Sequence, residues 1–501
     1  MAYGYKGTER DQCWLLPPSM RDWLPKGHLA WFVMDTLSVM DLERLYRRYP
    51  VGGAGNSAYD PGMMLAVLTY SYCLGVTSSR KIEALCMTDV AYRVLTASLF
   101  PDHTSICRFR KSNNDLLKHL FAETLRLASE AGMLRAGTVA LDGTKMAANA
   151  SLAANRTREG IEKEMARYRE IADRLFADAD RVDAEEDARF GADKSGNEVP
   201  EHLADPVKRL ETLRECKRRL DAAEAERRGE QQAKIDRRAE EERETGKKKR
   251  GRKPKSPDEA AAECAEAKVN TTDPDSGIMK TRQGHLQGYN AQVVVTMDQI
   301  IVAADVTDEA NDRHQLVPML LAAQANVTAA DETQKINNAL ADAGYCSLKN
   351  LTAPELADIE LFIATSNEKK ASREDRHKPA PRGRIPKSAT PVDRMTKKMR
   401  TKRGRSFYRQ RGMTVEPVFG QVKDGRGIDR FRRRGRDACR GEWNLISACH
   451  NLLKLWRWRC SGLFDSLRNR MKPTMKRVDR VGSAPASTRT GQLFTLARSA
   501  G

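Results

Sequence analysis

One apolar run, YNAQVVVTMDQIIVAADV at residues 289–306, limits the fold more than any other part of the 501-residue chain. Both of its halves are enriched in β-branched residues, so they predict two strands joined by a tight turn at Met297–Asp298. The short runs NALADA at 337–342 and IELFIA at 359–364 predict two further strands. Their continuous apolar character is typical of buried strands. The chain is therefore expected to build a partly parallel, buried sheet.

A further strand is predicted over residues 137–145, GTVALDGTK, with Asp142 at its end. Segments with helical patterns lie between and after the strands, so the predicted fold class is an α/β layered domain. Asp342 ends the strand over 337–342. Acids at strand ends converge on one edge of such a sheet, where ligands usually bind. Asp142 and Asp342 are thus the first two candidate site residues.

Glu416 is the third candidate, because it stands inside the apolar patch VEPVFG within an arginine-rich stretch. Proline is tolerated only in the first turn of a helix, so Pro417 predicts that a helix begins there, with Thr414 as its cap. Glu416, Gly420 and Lys423 then follow one another at i, i+4 and i+7 along one helix face. That face would present a metal ligand, a gap for close approach and a cation that meets a phosphate.

Three hard oxygen donors from separate elements suit Mg²⁺ or Mn²⁺. Two such ions about 3.5–4 Å apart can activate a water or a 3′-hydroxyl and stabilise the leaving oxygen of an in-line phosphoryl transfer. The sequence has no G-x-x-x-x-G-K-[ST] loop, so no nucleotide cofactor is expected. Asp142, Asp342 and Glu416 are therefore predicted to hold two divalent ions.

A rival for the second ligand lies in the acidic run DVTDEANDRHQL, which follows a predicted strand. Asp305, Asp308 and Glu309 stand in a turn-like stretch, where acids are usually solvated, whereas Asp312 is the stronger rival. We prefer Asp342 because it ends an apolar strand and precedes a glycine that permits a tight exit.

The balance of 87 Lys+Arg against 68 Asp+Glu, with a formal charge of +19, predicts a polyanionic partner such as nucleic acid. Tyr408 and Arg411 could stack on a base and grip a phosphate. An arginine cluster beside the predicted metal site would clamp phosphates, and it comprises Arg430, Arg432, Arg433, Arg434 and Arg436.

The segment FPDHTSICRFRKSN near residue 105 offers a second basic element. Thr104 or Ser105 is predicted as a helix cap, with Arg108, Arg110 and Lys111 in the first turns. A short helix with basic residues near its start is how a helix-turn-helix enters a DNA groove. The alternative is a compact helical bundle with an ordinary charged face.

The chain is expected to divide into four parts: an N-terminal helical, DNA-binding domain at 1–135, a core formed by 136–150 and 271–460, a helical hairpin with a basic linker at 151–270, and a disordered tail at 461–501. A seam of apolar residues from Ile161 to Val182 predicts the first hairpin helix. The ten cysteines are scattered and no apolar run is long enough to span a membrane. Reduced thiols, a cytoplasmic location and no membrane partner are therefore expected.

The motifs around the three acids resemble those of bacterial insertion-sequence transposases of the DDE class, in the group with a Tyr-Arg-Glu-Lys signature. They are DGTKMAANAS, ADAGYCS and YRQRGMTVEPVFGQVK. The N-terminal region ending in DHTSICRFR and the segment TDPDSGIMKTRQGHLQGYNAQ are typical of the subgroup with a helical insert after the first strand. One spacing departs from the signature, since four residues rather than three separate Arg411 from Glu416.

The resemblance implies an RNase H-like catalytic fold, with Asp142, Asp342 and Glu416 as metal ligands. It implies DNA strand cleavage and joining at element ends, and contacts of Tyr408, Arg411 and Lys423 with double-stranded DNA near the cut. Cutting both ends in one complex calls for at least two protomers, so a homodimer on chromosomal or plasmid DNA is expected. The alternatives are a catalytically inactive DNA-binding protein derived from a transposase, and a nuclease without a joining step.

Overall fold

The computed structural model describes residues 19–49, 58–190, 201–246, 248, 251, 253–262, 267–282, 284–365, 386 and 388–460. The tail predicted to be disordered lies outside these ranges, as does part of the predicted basic linker. Within the described ranges, no helix combines the length and the apolar character that a membrane crossing requires.

The N-terminal part is helical. Its α-helices are α1 Leu29–Ser38, α2 Glu43–Tyr46, α3 Pro61–Cys73, α4 Ser79–Thr88, α5 Val90–Leu95, α6 His103–Ser112 and α7 Asn114–Glu130, after a 3₁₀ turn at Met20–Asp22. Helix α3 begins where Asp60 accepts a hydrogen bond from the Met63 amide and Pro61 occupies the first turn. Nearly every residue of α3 is buried, so this helix is the centre of the N-terminal bundle.

Helix α6 begins two or three residues earlier than the sequence predicted. Its cap is Asp102, whose Oδ1 accepts a hydrogen bond from the Ser105 amide at 2.9 Å, so the prediction of Thr104 or Ser105 as cap is wrong. A carboxylate caps as well as a hydroxyl, and this aspartate stands just ahead of both candidates. In consequence Arg110 lies in the last turn of the helix and not in its first turns.

A mixed sheet of six strands follows. Its members are β1 Thr138–Ala147, β4 Gly277–Thr281, β5 Gly284–Thr296, β6 Ile301–Thr307, β7 Asn338–Ala341 and β8 Glu360–Ile363. The order is β4-β5-β1-β7-β8, and β6 also pairs with β5. Strands β4, β5, β6 and β1 pair antiparallel, whereas β7 and β8 run parallel to β1. The turn between β5 and β6 lies at Met297–Asp298, as predicted.

Strand β1 is longer than the sequence predicted and continues to Ala147. Asp142 therefore lies in the middle of the strand, opposite Val293 of β5, and its prediction as the strand's last residue is wrong. The dipeptide Asp142–Gly143, a common turn signal, is held in extended pairing by nine register pairs with β5. Tertiary pairing has overridden the local turn preference.

The segment between β1 and β4 contains a helical hairpin. Its helices are α8 Arg158–Phe190 and α9 Glu201–Thr245, followed by α10 Pro257–Ala262, and a two-stranded sheet of β2 Asn155–Arg156 and β3 Val269–Asn270 lies at its base. Arg158 pairs with Glu224, whereas Glu164 pairs with Arg209, so α8 and α9 run antiparallel. Apolar residues from Ile161 to Ala172 pack with Leu210, Leu213 and Leu220. The side chains of the seam beyond residue 174 lie outside the described part of the chain.

Helices fill the rest of the described chain, and they are α11 Leu316–Ala330, α12 Leu348–Leu351, α13 Pro391–Arg400, α14 Lys402–Thr414, α15 Glu416–Lys423 and α16 Arg436–Trp458. The basic, proline-containing composition of residues 366–406 predicts loops, but residues 391–400 and 402–406 are helical. Thr390 forms a capping box with Asp393 at the start of α13, and Thr401 caps α14. Thr414 does not cap α15, because its hydroxyl donates back to the Gln410 carbonyl oxygen.

Candidate active site

Asp142 and Asp342 lie on adjacent parallel strands. Asp342 follows β7 directly and caps a 3₁₀ turn at Ala343–Tyr345, where its Oδ1 accepts a hydrogen bond from the Gly344 amide at 2.8 Å. The pKa of Asp142 is raised to about 6, mainly by burial and also by the charge of Asp342, although Arg411 opposes the increase. Burial likewise raises the pKa of Asp342. The two carboxyl groups thus share a desolvated, mutually repulsive environment.

Arg411 brings the third acid to this pair. Its Nη1 lies 2.8 Å from Asp142 Oδ2, and its Nη2 lies 3.8 Å from Glu416 Oε1. Only 14% of the Arg411 side chain is exposed, against 64% for Glu416. One guanidinium group therefore stands between a strand acid and a helix acid, where it partly offsets the negative charge. The guanidinium carbon also lies 5.8 Å from the centre of the Tyr408 ring.

The donor set of this site fits a divalent cation. Carboxylate oxygens are the ligands that Mg²⁺ and Mn²⁺ prefer, and two of these acids are held close together although burial penalises their charge. In the part of the chain that the structure describes, no three His, Cys, Asp or Glu side chains stand close enough to hold one ion. Arg411 occupies the space beside Asp142 and Glu416, so holding an ion there requires its guanidinium to turn away.

Asp312, the rival acid, accepts hydrogen bonds from two side-chain amides. Its Oδ1 accepts hydrogen bonds from Asn290 Nδ2 at 2.7 Å and Gln292 Nε2 at 2.8 Å. A Cβ added at Gly344 would lie 3.0 Å from Asp342 Oδ1 and 3.3 Å from Asp312 Oδ2. The two carboxylates therefore lie close to each other beside Gly344. The structure thus places Asp312 next to Asp342, with one of its oxygens already occupied by two amides.

Because Gly143 has no side chain, Gln292 and Asp312 can lie directly against β1. A Cβ at Gly143 would lie 2.2 Å from Gln292 Nε2 and 2.8 Å from Asp312 Oδ1, so any other residue would displace them. Gln292 in turn accepts a short hydrogen bond from Tyr345 Oη, in the turn capped by Asp342. This hydrogen bond between buried groups connects β5, the strand paired with that of Asp142, to the turn of Asp342. Sequence reasoning missed Gln292 and Tyr345, although polar residues within an apolar strand run were a visible signal.

Lys423 joins the helix of Glu416 to the strand of Asp142. Its Nζ donates a hydrogen bond to the Lys145 carbonyl oxygen at 2.6 Å, and burial lowers its pKa. The Lys145 ammonium donates to the Ala310 carbonyl oxygen at 2.7 Å and lies 3.8 Å from Asp312 Oδ1. Lys423 therefore contacts the backbone of β1 three residues beyond Asp142.

The arginine cluster forms a loop at residues 430–436, which we call the arginine loop. It begins beside the end of β1, where Ala147 bridges to Arg430 and accepts a hydrogen bond from the Phe431 amide. Its exposed arginines are Arg430, Arg432, Arg434 and Arg436. Arg433 is the exception, since it is half-buried and donates to Asn114 Oδ1 at 2.7 Å. Four of the five predicted phosphate contacts are thus accessible.

The basic residues of α6 divide in the same way. Arg108 and Lys111 are exposed. Arg110 is only 7% exposed and donates to Tyr72 Oη at 2.9 Å and to the Thr77 carbonyl oxygen at 3.0 Å. A DNA contact of Arg110 does not agree with this position, because the side chain is used inside the bundle. Residue type alone could not separate it from its exposed neighbours.

Comparison with known families agrees with the geometry. Residues 18–112 match the family described as Transposase domain (DUF772), and residues 265–452 match the family described as Transposase DDE domain. No curated protein and no solved structure matches the chain. The first match covers helices α1 to α6, and the second covers strands β4 to β8 together with Asp342 and Glu416. Strand β1 with Asp142 lies between the two matched ranges.

The class defined by these findings is that of the DNA transposases. Within that class, the chain is an insertion-sequence transposase of the DDE type. Such enzymes cleave DNA strands and transfer them with the help of divalent metal ions. The DDE domain implies an RNase H-like α/β core, and the mixed sheet with its flanking helices is consistent with it.

Proposed function

We propose that Asp142, Asp342 and Glu416 hold two Mg²⁺ or Mn²⁺ ions with which this transposase cuts and joins DNA. The observation that carries this proposal is the position of Arg411, whose guanidinium lies between Asp142 and Glu416 while Asp342 stands beside Asp142. A buried cation between acids from different elements marks where positive charge is needed. The bound ions supply activation of the attacking oxygen and stabilisation of the leaving oxygen.

The remaining residues of the site bind and orient DNA. When Arg411 leaves Asp142, its guanidinium is free to meet a phosphate of the strand to be cut, close to the Tyr408 ring. Lys423 holds the backbone of β1 beyond Asp142 and would contact DNA on the same side. The exposed arginines of the arginine loop would grip the duplex at the end of β1.

The organisation that we propose follows from these roles. Residues 1–135 form a DNA-binding domain with Arg108 and Lys111 on its surface, residues 136–150 and 271–460 form the catalytic core, and residues 151–270 form an insert. Since two element ends must be cut in one complex, the active species on DNA is a homodimer.

The test is strand cleavage of DNA that carries the element ends, in Mg²⁺ or Mn²⁺. Wild type should cut, whereas Asp142→Asn and Glu416→Gln should bind the DNA equally well without cutting it. Gel-shift binding in a chelator provides the control for folding. If the wild type binds but does not cut with either metal, this copy is a catalytically inactive DNA-binding protein. If either variant still cuts at the wild-type rate, the proposed ligand set is wrong.

A further inference from the structure

Most arginine side chains of the arginine loop do not pair with any of the described acids. Five arginines lie within seven residues, yet in the part of the chain that the structure describes Arg430, Arg432 and Arg434 pair with no carboxylate. Each donates a hydrogen bond to one neutral acceptor instead, namely the Ala148 carbonyl oxygen, Thr77 Oγ1 and the Asn149 carbonyl oxygen. A guanidinium group has five N–H donors, so most of them stay available to a phosphate.

Three nearby carboxylates bind the backbone of the loop, whereas a fourth, Asp308, lies 3.4 Å from Arg436 Nη1. Glu442 Oε2 accepts hydrogen bonds from the Arg432 amide at 2.9 Å and the Arg433 amide at 3.1 Å. Asp273 Oδ1 accepts one from the Gly435 amide at 3.0 Å. Asp275 Oδ2 accepts one from the Arg436 amide at 2.7 Å. Hydrogen bonds from backbone amides to carboxylates are charge-assisted, so these contacts are strong ones.

Each of these acids is anchored in a different part of the molecule. Glu442 is fully buried on α16, and its Oε1 accepts a hydrogen bond from Tyr72 Oη of the N-terminal bundle at 2.7 Å. Asp273 is fully buried next to Tyr289 of β5, whose hydroxyl donates to it at 2.8 Å. Asp275 forms an ion pair with Arg219 of α9, in the helical insert.

We propose that Glu442, Asp273 and Asp275 are positioning residues for DNA binding. Their carboxylates fix the backbone of the arginine loop and leave its guanidinium groups to the phosphates. Because Arg219 of the helical insert pairs with Asp275, the insert contributes to DNA binding. The insert thereby has a role apart from catalysis. This inference rests on the proposed function only in taking DNA as the ligand, since it involves none of the metal-binding acids.

The proposal makes a prediction opposite to that of simple electrostatics. Removal of a negative charge from a DNA-binding surface should tighten non-specific binding, because it removes a repulsion. If the charge instead holds the arginine loop, its removal should weaken binding. Asp275→Asn is the variant of choice, since Asp275 is partly exposed and its loss should spare the fold.

The experiment measures the affinity of the full-length protein for element-end duplex DNA in a chelator, over a range of salt concentrations. Asp275→Asn should bind about tenfold more weakly than wild type, with a slope of log affinity against log salt reduced by about 1 for each lost phosphate contact. The matched control is Asp298→Asn, which removes an equal charge from a surface pair with Arg135. It should leave affinity unchanged or slightly raised.

The role of the insert has its own matched pair. Arg219→Gln and Arg218→Gln remove the same charge from adjacent positions of α9, but Arg218 pairs with Glu215 and does not contact Asp275. Arg219→Gln should weaken DNA binding severalfold more than Arg218→Gln.

The proposal is overturned if Asp275→Asn binds as tightly as wild type, or if both arginine variants weaken binding equally. In either case wild-type cleavage in Mg²⁺ would show that the metal site itself is sound. If the wild type itself does not bind DNA, the proposed function fails together with the inference.

Discussion

The acid site and the arginine loop handle charge in opposite ways. Burial raises the pKa of both Asp142 and Asp342, and in each case the charge of a neighbouring aspartate adds to the increase while Arg411 opposes it. In the arginine loop, the buried carboxylate of Glu442 accepts hydrogen bonds from amides and a hydroxyl, so its charge is well satisfied. The first region needs more positive charge, and the second offers it. We propose a metal ion as the partner of the first region and a DNA backbone as the partner of the second.

The largest effect expected within the acid site separates two neighbouring aspartates. Asp342→Asn should lower the cleavage rate by about 10³-fold or more, because loss of a metal ligand removes several kcal/mol of transition-state stabilisation. Asp312→Asn should lower it only about 10- to 100-fold, since Asp312 supports the site through Asn290 and Gln292. Single-turnover cleavage at saturating DNA measures both rates.

Glu309→Gln is the control for that comparison, because Glu309 stands in the same acidic run but pairs with the exposed His314. It should cleave at the wild-type rate. If Asp312→Asn loses as much activity as Asp342→Asn, the second ligand has been assigned to the wrong aspartate.

A smaller effect separates two adjacent arginines of the loop. Arg434→Gln should weaken DNA binding about tenfold and reduce the salt slope by about 1, because its exposed guanidinium meets a phosphate. Arg433→Gln should leave the salt slope unchanged, because Arg433 is half-buried against Asn114. Fluorescence anisotropy with labelled duplex, between 50 and 200 mM salt, measures both. If the salt slope decreases equally in the two variants, the assignment of Arg434 but not Arg433 as a phosphate contact is wrong.

A pH dependence is expected for metal binding, since a ligand must be ionised. Burial holds the pKa of Asp142 at about 6 in the metal-free protein, so Mn²⁺ affinity should fall as the pH drops through about 6. Above about pH 7 it should be nearly constant. Titration of the metal at pH 5.5, 6.5 and 7.5 measures this. An affinity that is the same at all three pH values would mean that Asp142 is not a ligand.

The smallest effect concerns the stability of the metal-free protein. Because the folded-state pKa of Asp142 lies above its unfolded-state value, this group makes unfolding easier as the pH rises from about 4 through about 6. The free energy of unfolding decreases by at most about 3 kcal/mol over this range. The contact of Asp142 with Arg411 limits the size of this decrease. Asp142→Asn should therefore gain stability relative to wild type between pH 4 and pH 7 by about 1–3 kcal/mol in urea unfolding. A constant difference across that range would contradict the assignment.

The sequence predicted the sheet better than the local geometry of the site. The β-branched runs at 289–306 lie in β5 and β6, as predicted. This prediction was straightforward because the pattern of these runs has no competing interpretation. The sequence pattern placed Asp142 at the end of a short strand, and only the pairing with β5 shows that the strand continues. Likewise α14 was not predicted, since its charged residues carry little apolar periodicity.

The features of the site that the sequence did not predict depend on contacts between residues far apart in the chain. Glu442 and Tyr72 are 370 positions apart, and no local pattern links them. The same holds for Arg110 and Arg433, whose residue type predicts a surface role but whose neighbours bury them. Sequence alone indicates which residues carry the charge, whereas the fold decides which of those charges reach solvent.

The measurement that tests the account most directly is the binding of Mn²⁺ to the protein without DNA substrate turnover, by electron paramagnetic resonance of the free ion. With uncleavable element-end DNA present, the wild type should bind about two ions per chain, and Asp142→Asn, Asp342→Asn and Glu416→Gln should each bind fewer or bind them more weakly. Asp298→Asn should match the wild type. If all three site variants bind Mn²⁺ as the wild type does, these acids do not form the metal site and the central claim is wrong.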